Sequence, residues 1–179
     1  MLKRIIQLLV NRTSLKAFVL TTFAFIIFSC GVKYSFTGAS ISPEIKTVSV
    51  GHFQNLAPLV NPTLSNTLSE ELRNRFVSQT RLNVIPAYGD LSFSGEIRNY
   101  RVQPIAIQGN EVAAQNRLTI AVRVKFENSL DPTQNYDKTF THYEDFSSTQ
   151  QISQVEQELV RLIVEKLVED IFNNAVANW

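Results

Sequence analysis

The chain has 179 residues, 44% of them hydrophobic, 10% aromatic and 18% charged, with six glycines and six prolines. That balance suits one globular domain with a real core and excludes a disordered, collagen-like or polytopic membrane chain. Four of the 17 basic residues and none of the 16 acidic ones fall in residues 1–29, so the overall formal charge of +1 becomes −3 for the rest of the chain, a poor match for sequence-independent nucleic-acid binding.

The basic start, with Lys3, Arg4, Arg12 and Lys16, leads into the apolar run Ala17–Phe28 and then Ser29-Cys30-Gly31. A charged segment, a short apolar run and a small residue at its end are the parts of a secretory signal peptide. Twelve residues of helix span about 18 Å, short of the ~30 Å hydrocarbon core, so residues 1–29 read as a leader and not as a stable membrane span. Cys30 is the single cysteine of the chain, which excludes an intramolecular disulfide framework and a cysteine-based zinc cluster. Its position directly behind the apolar run resembles the lipobox of bacterial lipoproteins. The resemblance implies that the Cys30 thiol receives a diacylglyceryl group, that cleavage frees its amine, and that the amine is acylated too. Two or three acyl chains give stable anchoring where one gives only marginal binding. No acid follows in Gly31-Val32-Lys33-Tyr34-Ser35, which by the same resemblance favours the periplasmic face of an outer membrane.

Residues 30–45, with Gly38, Ser40, Ser42 and Pro43, read as a lipidated tether, and residues 46–179 as a single domain. Lys46–Phe53 alternates as a first strand, placing Val48 and Val50 on one face with His52 next in phase. Asn61-Pro62 is a helix start, because Asn caps well and Pro fits the first helical position. Leu64, Leu68, Leu72 and Phe76, with Val77 beside Phe76, predict an amphipathic helix over roughly 62–79, with Glu71 and Arg75 spaced as an i,i+4 pair. Arg81 to Pro86 is a short extended piece and 86–90 a loop. Leu91–Arg98 alternates and then loses phase near Asn99-Tyr100; that slip, with Gly95, predicts a bulge or bend in a long strand. Residues 104–113, containing Gly109-Asn110, form the turn region of a hairpin, a place where contacts such as Gln108 and Asn110 often sit.

The clearest strand follows, with Leu118, Ile120, Val122, Val124 and Phe126 on one side and Arg117, Thr119, Ala121, Arg123, Lys125 and Glu127 on the other. Asp131–Asn135 is a turn, and Tyr136 to Phe146 the return strand. From Ser147 on no Gly or Pro interrupts the chain; Ser148 with Gln151, or Ser153 with Glu156, has the spacing of a capping box. A stripe from Ile152 to Phe172, widened by Val160, Val164, Val168 and Val176, predicts a helix over about 150–177. The order β-α-β-β-β-α is that of an α+β fold: a mostly antiparallel sheet of about four strands with two helices packed on one face.

Catalytic chemistry is not encoded. The two histidines, His52 and His142, stand alone, without carboxylates at metal-ligand spacing. No G-x-S-x-G, P-loop or G-x-G-x-x-G occurs, and Glu70-Glu71 and Glu169-Asp170 point ~100° apart on their helices. The expectation is a protein that is not an enzyme, with no cofactor other than the covalent N-terminal lipid on Cys30 and no metal.

The leader with Cys30, the strand ending His52-Phe53-Gln54-Asn55, the Asn61-Pro62 helix start, the meander and the long terminal helix together resemble the lipopolysaccharide-assembly lipoprotein family LptE, in the divergent form found in Bacteroidota. Tyr34–Ile41 and Leu68–Phe76 carry much of the likeness, which runs over residues 30–175 as pattern and element order. It implies an outer-membrane lipoprotein that plugs the β-barrel translocon LptD, helps it assemble, and helps deliver lipopolysaccharide to the cell surface. The partners implied are thus an LptD-like barrel, lipopolysaccharide and, through the lipid anchor, the membrane. Arg98, Arg101, Arg117, Arg123 and Lys125 on the polar strand face are the candidate contacts, since the guanidinium fork suits carboxylates and phosphates. The same face also reads as a solvated one closed by cross-strand pairs to Glu96 or Glu127. A second class of envelope lipoprotein, of the curli-secretion or penicillin-binding-protein-activator type, also starts with a strand ending in Phe-x-Asn, but the Leu91–Phe146 meander argues against it.

Overall fold

The computed structural model describes residues 41–59, 61–105 and 114–176. The expected leader, Cys30, the tether up to residue 40 and the expected hairpin tip at 106–113 lie outside the described residues. In chain order the elements are β1 (Thr47–Val50), β2 (Gln54–Asn55), α1 (Leu64–Gln79), β3 (Asn83–Ile85), β4 (Leu91–Ile105), β5 (Gln115–Asn128), a 3₁₀ turn (Pro132–Gln134), β6 (Tyr136–Ser147) and α2 (Ile152–Val176).

The fold is α+β, but its sheet is mixed and six-stranded rather than mostly antiparallel and four-stranded. The strand order is β3-β1-β4-β5-β6, with β2 alongside β4. β1 runs parallel to both β3 and β4, and β2 runs parallel to β4. Only β4, β5 and β6 form the antiparallel meander. β3 falls inside the short extended piece expected over Arg81–Pro86, whereas β2 escaped the sequence pattern because two residues are too few to show a period of two. β1 also ends sooner than the alternation predicts. The Gly51 N–H bonds the Phe93 carbonyl at 2.8 Å, and beyond it Phe53 is fully buried while His52 is exposed.

Both helices cover the same face. Phe76 of α1 lies 5.1 Å from Phe93 of β4 and 5.0 Å from Phe172 of α2, and the ring chain continues from Phe93 to Phe126 at 4.9 Å. Leu64, Leu68, Leu72 and Phe76 are each fully buried, whereas Val77, one position out of the stripe, is 63% exposed. α1 begins at Leu64 with Thr63 at its N-cap position, so Pro62 is not its first residue as expected; the cap bonds still come from Asn61, whose Oδ1 accepts from the Thr63 N–H at 3.0 Å and the Leu64 N–H at 3.1 Å. The ion pair on α1 is Arg73 with Glu70 rather than Arg75 with Glu71, and Arg73 also donates to the Val50 carbonyl at 2.9 Å. On α2, Leu159, Ile163, Leu167 and Ile171 with their valine neighbours are buried. Neither expected capping box forms there: Glu156 instead accepts from the Asn61 amide at 3.0 Å and from the Tyr100 hydroxyl. Among the described residues no helix is long and apolar enough to cross a membrane.

Two local devices shape β4. The register shifts between Ile97 and Asn99, leaving Arg98 as the extra residue of a bulge, so the buried phase passes from Leu91, Phe93 and Ile97 to Tyr100. Before the bulge, a Cβ on Gly95 would stand 2.1 Å from the Arg123 carbonyl oxygen and 2.9 Å from the Phe53 ring, so glycine is required where Phe53 packs across the strand.

The link from β3 to β4 is the second unusual feature. β1 lies between these two parallel strands, and five residues carry the chain across it. So short a crossing is possible because β3 ends opposite Ser49 and β4 begins opposite Val48, so the chain moves sideways without travelling back. It passes tightly: a Cβ on Gly89 would lie 2.6 Å from the Ser49 nitrogen and 2.8 Å from the Val48 carbonyl carbon. Tyr88, beside it, holds a φ of 57° and is 97% exposed.

Candidate functional site

Strand alternation divides β4, β5 and β6 into a helix-covered face and an open face. The open face carries all five cations singled out from the sequence, on two neighbouring strands. Register then decides what each one meets. Arg117 stands opposite Asp145 on β6, and its Nε and Nη2 donate to the two carboxylate oxygens at 2.7 and 2.9 Å. The same guanidinium lies 3.6 Å from the centre of the Tyr143 ring. Arg123 makes the equivalent fork to Asp137, both bonds at 2.7 Å, and reaches Glu96 at 3.6 Å. Arg98, on the bulge, pairs with Glu96 at 2.8 Å, and Lys125 pairs with Glu127 at 2.7 Å. Arg101 is exposed and makes no ion pair among the described residues.

These pairs fix charge as well as position. The Arg117 fork holds the Asp145 carboxyl below the usual carboxylate range, and the Arg123 fork does the same to Asp137. The reciprocal hydrogen bonds raise Arg117 and Arg123, and Glu127 raises Lys125. Between the two forks lie Thr119, Ala121, Thr139 and Thr141, with the half-exposed Tyr143 ring beside Arg117. Sequence reasoning found the cations. Asp137, Asp145 and Tyr143 were not seen, because Asp145 opposite Arg117, and Asp137 and Tyr143 diagonal to Arg123 and Arg117, are set by a register that only the folded β5–β6 turn fixes.

A second polar constellation gathers where β3 crosses to β4. The Asp90 carboxylate accepts from the Lys46 N–H at 2.8 Å and from the Thr47 N–H and hydroxyl at 2.9 Å each. These bonds, led by the Lys46 N–H, hold its carboxyl below the usual range. Its backbone carbonyl accepts from the Ser129 N–H at 2.9 Å, so one residue clasps the start of β1, the crossing and the β5–β6 turn. The last residues of the expected tether are tied in as well: Ile45 is buried in the core and Ile41 packs against it.

Neither constellation has the parts of a catalytic centre. Among the described residues no three His, Cys, Asp or Glu side chains are grouped to hold a metal. His142 Nε2 lies 2.7 Å from Asp170 on α2, a tie between strand and helix; His52 is exposed at the end of β1.

No curated protein matches the sequence. Among solved structures the chain is similar to a minor lipoprotein from Acinetobacter baumannii, at 15% identity and a TM-score of 0.49, over 75% of this chain and 94% of that one. It is similar at 11% identity and a TM-score of 0.47 to a hypothetical protein from Chlamydia trachomatis, over 75% of this chain and 98% of that one. A protein from Xanthomonas campestris gives 13% identity and a TM-score of 0.47, over 76% and 91%. The family model described as LptE, lipopolysaccharide-assembly, matches residues 45–175, from the end of the expected tether through nearly all of α2, and the chain belongs to that family.

Proposed function

We propose that the chain is a non-enzymatic lipoprotein, anchored through acyl chains on Cys30 to the periplasmic face of the outer membrane, that plugs and helps assemble an LptD-like β-barrel and so serves lipopolysaccharide transport to the cell surface. The match over residues 45–175 carries the reading. The single cysteine placed directly behind an apolar run supports the anchor.

The open sheet face is the surface assigned to the partner. Arg117, half-buried, and Arg123, exposed, are held in place by their forks, while Arg101 is exposed and free of ion pairs among the described residues. Such a face suits a barrel lumen, whose wall is polar. Arg101, outside the ion pairs among the described residues, is the guanidinium left to meet a lipid phosphate through two hydrogen bonds.

Affinity purification of the full chain from solubilised membranes tests the reading. Recovery of a large β-barrel is the expected result. Recovery of a peptidoglycan synthase or a secretion ring in its place would overturn it in favour of the other lipoprotein class.

A further inference from the structure

We infer that the end of the domain where the tether enters lies against the bilayer that holds the anchor, with Tyr88 and Leu130 inserted at the level of the lipid headgroups. The inference rests on the Cys30 anchor proposed above and adds the orientation of the fold on the membrane. Three segments meet at this end. The Asp90 carboxylate takes the N–H groups of Lys46 and Thr47, where the tether becomes β1, and the Asp90 carbonyl takes the N–H of Ser129 in the β5–β6 turn. Tyr88 stands two residues before Asp90 and Leu130 directly after Ser129, so both are held close to the point at which the tether arrives. Both are also turned outward by the local structure. Tyr88 is 97% exposed at a φ of 57°, a left-handed backbone that a bulky residue seldom adopts. Gly89 takes the inner position of that loop, against the backbone of β1, and leaves Tyr88 the outer one. Leu130 is 51% exposed in a turn folded around buried Asn128, whose Oδ1 accepts from the Leu130 N–H at 2.9 Å and the Asp131 N–H at 3.1 Å.

The length of the tether and the chemistry around the two side chains identify the occupant. Cys30 stands eleven residues before Ile41, which packs on the core, and so many residues reach at most about 40 Å. β4, fifteen residues long, rises about 45 Å from the tether end to the far end. An anchor at Cys30 therefore leaves the tether end, and not the far end, free to rest on the surface. The surface there suits lipid. Residues 82–89 carry no charge. The two nearest carboxylates are turned back on their own chain, Asp90 as above and Asp131 to the Thr133 N–H at 3.1 Å. Lys46 and Arg81 are exposed, against Glu44 as the one exposed acid of residues 41–46 and 80–90, so the balance of charge favours anionic headgroups. Tyrosine belongs at such an interface because its ring enters the apolar layer while its hydroxyl keeps hydrogen bonds to headgroups and water.

Photo-crosslinking of the full chain in its own membranes tests the contact. The variants are Tyr88→benzoylphenylalanine, Leu130→benzoylphenylalanine and, as the control at the far end, Gln150→benzoylphenylalanine. All three positions are exposed, so none of the replacements enters the core. On irradiation the Tyr88 and Leu130 variants are expected to form phospholipid adducts, read by mass on the labelled peptide, at about tenfold the yield of the Gln150 variant. Phospholipid yields no higher than that of the Gln150 variant, or adducts to protein alone, would overturn the proposal, and an acylated Cys30 in the same digest would show that the anchor stands without it. An unmodified Cys30 would overturn the anchor and this orientation together.

Discussion

Asp90 binds three donors on Lys46 and Thr47, and its own N–H donates to the Thr47 hydroxyl at 2.9 Å. Its folded-state pKa lies below the unfolded value near 3.8, so the stability it contributes is fully present above that value and is lost as the pH falls through the folded one. The wild-type melting temperature should therefore drop on acidification below about pH 4, and Asp90→Asn should lose less over the same interval. Equal acid losses in the two proteins would remove Asp90 from the account. Gly89 tests the crossing at the same scale. A methyl group there meets the backbone of β1, which has no flexible end to swing away, so Gly89→Ala should cost about 1–3 kcal/mol in chemical denaturation. A variant as stable as the parent would mean that the crossing stands off from β1.

Elements with several periods were legible from the sequence. The four-residue recurrence of Leu64, Leu68, Leu72 and Phe76 and the alternation from Leu118 to Phe126 became α1 and β5, and the phase loss at Asn99 became the Arg98 bulge. β3 was legible only as the extended piece Arg81–Pro86, and β2 not at all; neither showed its place in the sheet. What makes them strands is pairing with β4 and β1, a long-range property that a window of two or three residues does not contain. Capping signals divided in the same way. Asn61 acts locally on Thr63 and Leu64, as expected, while Glu156 was claimed by Tyr100 and Asn61, residues distant in the chain. Burial against Glu156 pushes the Tyr100 phenol well above its usual pKa, so the tie stays protonated across physiological pH. The helix-on-sheet packing is tested at Ile163, which is fully buried in α2. An unpaired carboxylate there costs several kcal/mol, so Ile163→Asp should abolish the cooperative melting transition. Wild-type melting would contradict the burial of that helix face.

For the whole molecule, the candidate surface was half visible in sequence. The cations on alternate positions of β4 and β5 announce a polar face, but whether each one is free or neutralised depends on strand register. Folding pairs Arg98, Arg117, Arg123 and Lys125 and leaves Arg101 outside the pairs among the described residues. A face of this kind is firmly built and nearly neutral, suited to lying against a polar wall rather than to gripping a small molecule. The role assigned to it requires that the fold be held at the membrane, and the anchor assigned is Cys30. Surface lipopolysaccharide should fall when host cells are depleted of this chain, return with the wild-type sequence, and stay low with Cys30→Ala, even though that variant melts normally and leaves the membrane fraction. Full restoration by Cys30→Ala would contradict the anchor, and undiminished surface lipopolysaccharide in depleted cells would contradict the assembly function itself.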